Sequence, residues 1–197
     1  MTPKQKERLQ NKIKKIKASL AADKKHWGGY YHDGGGLRYL PPGLYIQLED
    51  WSGGLRYLNW FKKNFPDDAG FPDFLFQWTL ILFKKGKLKE AEKKAFETFT
   101  QNTYLFDKFF DREVIPIDKW EGSLLESAGF AIEHFHYSAE KEEFMDFAAW
   151  LDRLTQTKRF IQLSTAYIET SKKLMHEDDP DKRGDLLEQA SHLKDDL

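Results

Sequence analysis

Apolar residues recur at helical spacing in the first part of this chain. They are Leu9, Ile13, Ile16 and Leu20. Gaps of three or four residues place such side chains on one side of a helix. Thr2 followed by Pro3 is a typical helix start, because a hydroxyl caps free N–H groups and proline needs no N–H at the first position. The pattern predicts a helix over residues 3–25 with one narrow apolar stripe and an otherwise basic surface.

Glycine and proline interrupt this spacing between residues 26 and 42, and two pairs of helices follow. In the first pair, helix resumes near residues 38–41, breaks around Glu49 and Asp50, and returns over residues 51–65. In the second pair, helix begins at Pro72, breaks at Gly86 and continues through residue 99. Each pair is predicted to form a helical hairpin.

The C-terminal half keeps the helical spacing and lacks the alternation of a β-hairpin. A short aromatic helix is predicted near residues 104–110, followed by an irregular stretch. The residues expected to cap the later helices are Ser123, Ser138, Thr157 and Asp179. Ser123 has Glu126 three residues later, which is a capping-box pattern, and the last helix is predicted to run amphipathically through Leu197. The predicted fold class is all-α.

The two predicted hairpins align with an offset of 37 residues. The second has a turn glycine and small residues where its helices would cross; the residues of this pattern are Trp78, Leu82, Gly86, Ala91 and Ala95. In the first, Gly54 takes the small crossing position and Pro66 follows the second helix, but Glu49 occupies the turn position. Over residues 35–103 the chain resembles the tetratricopeptide repeat. The alternative is an ordinary helical bundle with two similar hairpins.

This resemblance implies antiparallel hairpins in a right-handed superhelical arrangement, with additional C-terminal helices packed on it. We accordingly expect one all-helical domain over residues 1–197. Its parts would be a basic helix and glycine-rich aromatic loop (1–34), the hairpin pair (35–103) and the C-terminal helices (104–197).

In the tetratricopeptide family the first helix of each hairpin lines a concave groove, which implies a candidate binding groove here. Its residues would be Tyr39, Ile46, Gln47, Phe76, Leu80, Phe83 and Lys84. Some family members clamp a terminal carboxylate with Lys and Asn at the positions that Phe76 and Leu80 occupy, so such a clamp is disfavoured. An apolar groove suits an amphipathic helix, from a partner or from the C-terminal half of the same chain.

Aromatic residues are concentrated among glycines directly after the first helix. This second candidate binding element contains Trp27, Tyr30, Tyr31 and His32. Glycine makes a loop adaptable and tyrosine supplies contact area at low entropic cost, so the composition suits recognition. The alternative is that these rings fold back and cover the open end of the helical stack.

Charge is unevenly distributed although the formal net charge is only −1. Residues 1–25 contain nine Lys or Arg and two acids, whereas residues 177–197 contain eight acids and three bases. The two ends can attract each other within or between chains, or both are solvated helix faces. The absence of cysteine excludes disulfides and thiolate chemistry and fits a cytoplasmic location. The apolar stretch over residues 74–83 is too short to span a bilayer.

Motifs for catalysis or cofactor binding are incomplete. Residues 33–38 contain three glycines but lack the Lys-Ser/Thr of a phosphate-binding loop. Glu133 and His136 have the spacing of a carboxylate di-iron helix, which needs a second such pair and two more carboxylates. We therefore expect no metal, no cofactor and no enzymatic activity, although sequence alone does not exclude an active site assembled from distant residues.

The sequence thus predicts a non-enzymatic protein–protein interaction or scaffold protein in the cytoplasm. Its expected partner is another protein or a peptide, with self-association as a further option and no membrane partner. The alternative is a nucleic-acid-binding or ribosome-associated protein that uses the Lys-rich first helix. A net charge of −1 disfavours nucleic acid, because it argues against a broad basic surface.

Overall fold

The computed structural model describes residues 1–194, and every regular element in this range is a helix, which confirms the all-α prediction. The α-helices are α1 (Pro3–His26), α2 (Leu40–Gln47), α3 (Trp51–Asn64), α4 (Pro72–Lys84), α5 (Leu88–Gln101), α6 (Leu105–Phe109), α7 (Ala128–His134), α8 (Met145–Thr155), α9 (Lys158–His176) and α10 (Pro180–His192). Single 3₁₀ turns lie at Leu37–Tyr39, Leu124–Glu126 and Glu142–Phe144. Leu197, assigned above to the last apolar stripe, lies outside the described residues.

The chain divides into two compact units, Met1–Gly70 and Phe71–Leu197. In the first unit α1 begins as predicted: the Thr2 hydroxyl accepts a hydrogen bond from the Gln5 N–H, and the Gln5 side chain accepts one from the Thr2 N–H. The apolar stripe of α1 is buried against α2 and α3. This core consists of Ile13, Ile16, Leu20, Leu44, Tyr45 and Tyr57.

Helices α2 and α3 form the first hairpin. Glu49, at the turn between them, has a positive φ of 53°, the left-handed conformation that glycine adopts most easily. The Asp50 carboxylate caps α3 by accepting a hydrogen bond from the Gly53 N–H at 2.8 Å. A Cβ atom on Gly53 would lie 2.6 Å from Cε1 of Tyr45, so the hairpin closes at a position that only glycine fits.

Helices α4 and α5 form the second hairpin, in the second unit. Its turn contains Gly86 with a φ of 69°. Ala91 and Ala95 on α5 are fully buried, as expected where two helices approach closely. The hydroxyls of Thr79 on α4 and Thr98 on α5 lie 3.2 Å apart and share a hydrogen bond between the two helices.

Two of the four predicted caps are wrong. Ser123 makes no capping hydrogen bond, and α7 begins after Ser127, whose hydroxyl accepts from the Phe130 N–H. Ser127 has an extended backbone, and the Asn102 side-chain amide at the end of α5 holds this segment by donating to the carbonyls of Leu125 and Ser127 at 2.8 and 3.0 Å.

The helix expected after Ser138 is also displaced, because α8 begins only at Met145. The Ser138 hydroxyl instead accepts from the Glu140 N–H, which closes a local turn. The caps at Thr157 and Asp179 are confirmed. Thr157 accepts from the Phe160 N–H, and Asp179 accepts from the two N–H groups that follow Pro180.

Candidate functional site

The aromatic loop, defined here as residues 27–36, exposes three of its four candidate side chains. Trp27 is 50% exposed, Tyr30 is 80% exposed and His32 is exposed. The rings of Trp27 and His32 stack with centroids 5.0 Å apart. The loop therefore presents aromatic surface to solvent close to the C-terminal end of α1.

Tyr31 is the member of the aromatic loop that anchors it. Its ring packs against the rings of Trp60 and Phe65, with centroids 5.8 and 4.7 Å away. The Lys24 ammonium lies 4.8 Å from the centroid of the same ring, which is within range of a cation–π interaction. Burial raises the pKa of Tyr31. Neighbouring tyrosines thus have opposite roles, Tyr31 holding the loop and Tyr30 facing solvent.

Two aspartates fix the backbone of the aromatic loop. The Asp23 carboxylate on α1 accepts hydrogen bonds from the His32 and Asp33 N–H groups at 2.7 and 3.2 Å. The hydrogen bond from His32 is the largest cause of the lowered pKa of Asp23. The Asp33 carboxylate accepts from the N–H groups of Leu37 and Arg38 at 2.9 and 3.0 Å. The loop is therefore fixed from residue 32 onward.

Arg38 is the centre of a partly buried polar cluster, the arginine cluster, that also contains Asp33, Tyr39 and Asp68. Its guanidinium donates to Asp33 Oδ2 at 3.0 Å and to Asp68 Oδ2 at 2.7 Å. It also donates to the Tyr39 hydroxyl, which donates in turn to Asp68. The Tyr57 hydroxyl donates to the Arg38 carbonyl at 2.7 Å, which connects the cluster to α3. Every charged group of this cluster has a charged partner.

The same contacts shift two pKa values. Burial and the hydrogen bond to Asp68 raise the pKa of Tyr39 to about 12. Burial acts to raise the pKa of Asp68, but hydrogen bonds from Tyr39 and Arg38 outweigh it, so that pKa is lowered. Tyr39 is therefore a neutral donor and Asp68 a charged acceptor at neutral pH.

Three of the candidate groove residues lie in the first unit. Tyr39 is engaged in the arginine cluster through its hydroxyl. Ile46 is buried on α2, and Gln47 at the end of that helix is exposed. Of these side chains, Gln47 is the one that solvent reaches freely.

The other four candidate groove residues lie on α4 in the second unit, where the C-terminal elements of the chain cover them. Phe76 and Leu80 are fully buried. The Phe76 ring contacts four other rings at centroid distances of 4.8–5.5 Å: Phe109, Phe135, Tyr137 and Phe147.

Phe83 and Lys84, at the end of α4, contact α8. The Phe83 ring packs against Phe147 and Trp150 at 5.5 and 5.0 Å. The Lys84 ammonium donates to the Asp146 carboxylate at 2.6 Å. A partner would therefore reach this face of α4 only by displacing α8 and the segment around Phe135.

A cleft in the second unit has no counterpart in the sequence predictions. Its volume is about 150 Å³. It is lined by Thr100, Gln101, Trp120, Glu126, Tyr167, Ser171, Leu174, Leu187, Ala190, Ser191 and Lys194. These residues come from the end of α5, the irregular segment before α7, α9 and α10, so no local sequence pattern connects them.

Glu126 is the carboxylate in this cleft. Burial raises its pKa, and Glu121 adds to the rise, although Lys119 and Lys194 lie close enough to oppose it. A carboxyl with a raised pKa in the folded state stabilises the fold at low pH, and that stabilisation is lost as pH rises through the raised pKa.

Glu126→Gln is therefore expected to raise the melting temperature at pH 7, because the variant buries no charge. The difference from wild type should disappear below the ordinary glutamate pKa. Thermal unfolding at pH 7 and at a pH below the ordinary glutamate pKa measures this difference. The control is Glu133→Gln at an exposed position, for which little change in melting temperature is expected at either pH. A lower melting temperature for Glu126→Gln at pH 7 would contradict it.

Within residues 1–194, no group of three or more His, Asp or Glu side chains is placed to hold a metal ion. Glu133 lies on α7, which ends at His134, so His136 does not continue the helical spacing on which the di-iron pattern depends. In the same range no helix is both long and apolar enough to cross a membrane.

Comparisons with known proteins identify no relative. No protein-family model matches the chain, and no curated protein or solved structure gives a significant match.

Proposed function

We propose that this protein is a non-enzymatic interaction protein of the cytoplasm that binds another protein through the aromatic loop. The observation that carries the proposal is the exposure of Trp27, Tyr30 and His32 on a fixed loop. Backbone hydrogen bonds to α1 hold the start of this loop, and the carboxylates of Asp23 and Asp33 hold its second half. Aromatic residues are enriched at protein interfaces, and a fixed loop loses little entropy on binding. Exposed rings of this kind suit an apolar or aromatic pocket on a partner.

The hairpins α2–α3 and α4–α5 are proposed to be two tetratricopeptide-like repeats in a right-handed superhelical arrangement that supports this loop. Support comes from their left-handed turn residues, Glu49 and Gly86, and from the buried alanines of α5. An experimental structure tests this part: the second hairpin must follow the first by the rotation typical of the family.

The loop proposal is tested with the full chain as bait in a quantitative crosslinking and mass-spectrometry search, followed by calorimetry on the purified partner. The double variant Trp27→Ala/Tyr30→Ala is expected to weaken binding by at least about tenfold, since a central aromatic contact contributes about 2 kcal/mol or more. The matched control is Ile115→Ala/Leu124→Ala, which removes two apolar side chains, 66% and 87% exposed, outside the loop.

An equal loss of affinity in both double variants would contradict a specific role of the aromatic loop. So would a partner that the loop variant binds as tightly as wild type. Sedimentation velocity over a concentration series tests the remaining option, a second copy of this chain as the partner. In that case the loop variant should shift the equilibrium toward monomer.

A further inference from the structure

The two compact units carry opposite formal charges. Met1–Gly70 contains thirteen Lys and Arg and seven Asp and Glu, a charge of +6, whereas Phe71–Leu197 contains eighteen and twenty-five, a charge of −7. The near-neutral whole chain thus contains a strongly basic first unit. A net charge of −1 therefore does not exclude an anionic partner for that unit.

Most of this positive charge lies on α1, between residues 4 and 17. The residues concerned are Lys4, Lys6, Arg8, Lys12, Lys14, Lys15 and Lys17. All seven side chains are exposed. Within the described part of the chain, none of them forms a salt bridge. These cations are consequently available to an external anion.

The spacing of these charges disfavours the free helix. Lys4, Arg8 and Lys12 follow one another at four-residue intervals, which places like charges about 6 Å apart along one side of the helix. The first turn of α1 has no acidic residue, although the positive end of the helix dipole favours acids there. An anion bound along this side would reduce both the repulsion between the like charges and their unfavourable interaction with the helix dipole.

The opposite side of α1 is already occupied. Ile13, Ile16 and Leu20 are between 1 and 6% exposed, because they pack on α2 and α3. An amphipathic helix binds a bilayer by inserting its apolar side, and in this protein that side is not available. A lipid surface is thus disfavoured.

The row of cations extends over about 16 Å from Lys4 to Lys15, with the rise of an α-helix. A polynucleotide presents one negative charge per nucleotide and can meet such a row along its whole length. Acidic surfaces of proteins interleave carboxylates with other side chains and rarely sustain such a density.

We propose that the basic side of α1 binds the phosphodiester backbone of a nucleic acid without sequence selectivity. Phosphate contacts from Lys and Arg supply this kind of affinity and position a protein on its nucleic acid. This activity is separate from the binding of a protein partner by the aromatic loop, so either can exist without the other.

The experiment measures fluorescence anisotropy of labelled single-stranded RNA, duplex RNA and duplex DNA of equal length, titrated with the full chain over a salt series. Wild type is expected to bind at low salt and to weaken steeply as salt increases. The variant Lys4→Gln/Arg8→Gln/Lys12→Gln/Lys15→Gln should bind at least about tenfold more weakly, with a log–log salt slope smaller by about three.

The matched control is Lys62→Gln/Lys63→Gln/Lys89→Gln/Lys93→Gln, which changes the net charge equally at exposed positions outside α1. It should keep a salt slope close to that of wild type, and circular dichroism should show that both variants are folded. Three results would each overturn the proposal. They are no binding at low salt, an equal loss in both variants, and α1-dependent binding to phosphatidylcholine–phosphatidylserine vesicles without binding to any nucleic acid.

Discussion

Phe76→Ala is expected to lower the free energy of unfolding by about 3–5 kcal/mol, the usual range for deleting a fully buried phenylalanine ring. The side chain has no exposed surface and contacts four other rings in the second unit. The C-terminal elements cannot close the resulting cavity without repacking α8 and the segment around Phe135. Urea unfolding, followed by circular dichroism and tryptophan fluorescence, measures the loss.

Two controls separate this role from that of a binding groove. Phe76→Leu retains most of the volume and should lose clearly less stability. Met145→Ala changes a residue that is 61% exposed and should stay within about 0.5 kcal/mol of wild type. If Phe76→Ala were as stable as wild type and lost a partner instead, α4 would line an open groove and its coverage by α8 would be transient.

Arg38→Met is expected to remove about 3–5 kcal/mol from the stability of the first unit, because it leaves the carboxylates of Asp33 and Asp68 without their cation. The side chains of these aspartates are 3 and 14% exposed, so water replaces the guanidinium only in part. Methionine keeps the apolar volume of the arginine stem. Chemical unfolding gives the total loss, and hydrogen exchange at the amides of residues 32–38 localises it to the aromatic loop.

Arg112→Met is the matched control, because Arg112 pairs with Asp152 where both side chains are 50 and 37% exposed. Exposed ion pairs contribute about 0–1 kcal/mol, so this variant should be nearly as stable as wild type. Adding Asp33→Asn and Asp68→Asn to Arg38→Met should recover part of the loss, since the orphaned charges disappear. Equal losses for Arg38→Met and Arg112→Met would show that the arginine cluster stabilises nothing beyond an ordinary surface pair.

Phe76→Ala and Arg38→Met are also expected to differ in their effect on partner binding. Loss of Phe76 would disturb the second unit and leave the aromatic loop of the first unit with all of its own contacts. Loss of Arg38 would release one end of the aromatic loop, so partner binding should weaken even where the unit stays folded. Measuring affinity for the partner with both variants therefore separates a role in recognition from general stability.

Local signals account for several of the helix boundaries. The hydroxyls of Thr2 and Thr157 and the carboxylate of Asp179 cap helices within three residues, and Gly86 ends a helix by its own conformation. Such interactions leave a pattern that can be recognised in a short stretch of sequence. Ser123 has an equally good pattern, but Asn102 holds Leu125 and Ser127 by their carbonyls in a segment that is not α-helical. A hydrogen bond across more than twenty residues outweighed the local preference.

The candidate binding residues show the same difference between what local sequence predicts and what distant contacts determine. Composition alone singled out the aromatic loop, yet it could not tell Tyr30 from Tyr31, because their exposure depends on Trp60 and Phe65. Helical spacing placed Phe76 on one side of α4 and left open what covers that side. No local sequence pattern marks Arg38 as the centre of a polar cluster, because its partner Asp68 lies thirty residues away.

From its residues alone, this chain is specified as a series of amphipathic helices with a basic first helix and an aromatic loop. The helical repeat makes that specification local, because each apolar stripe and cap involves residues within one or two turns. Tertiary structure decided which stripes are covered, which rings remain exposed and which charges are paired. Those outcomes depend on contacts between residues far apart in the chain, and such contacts have no periodic signature in the sequence.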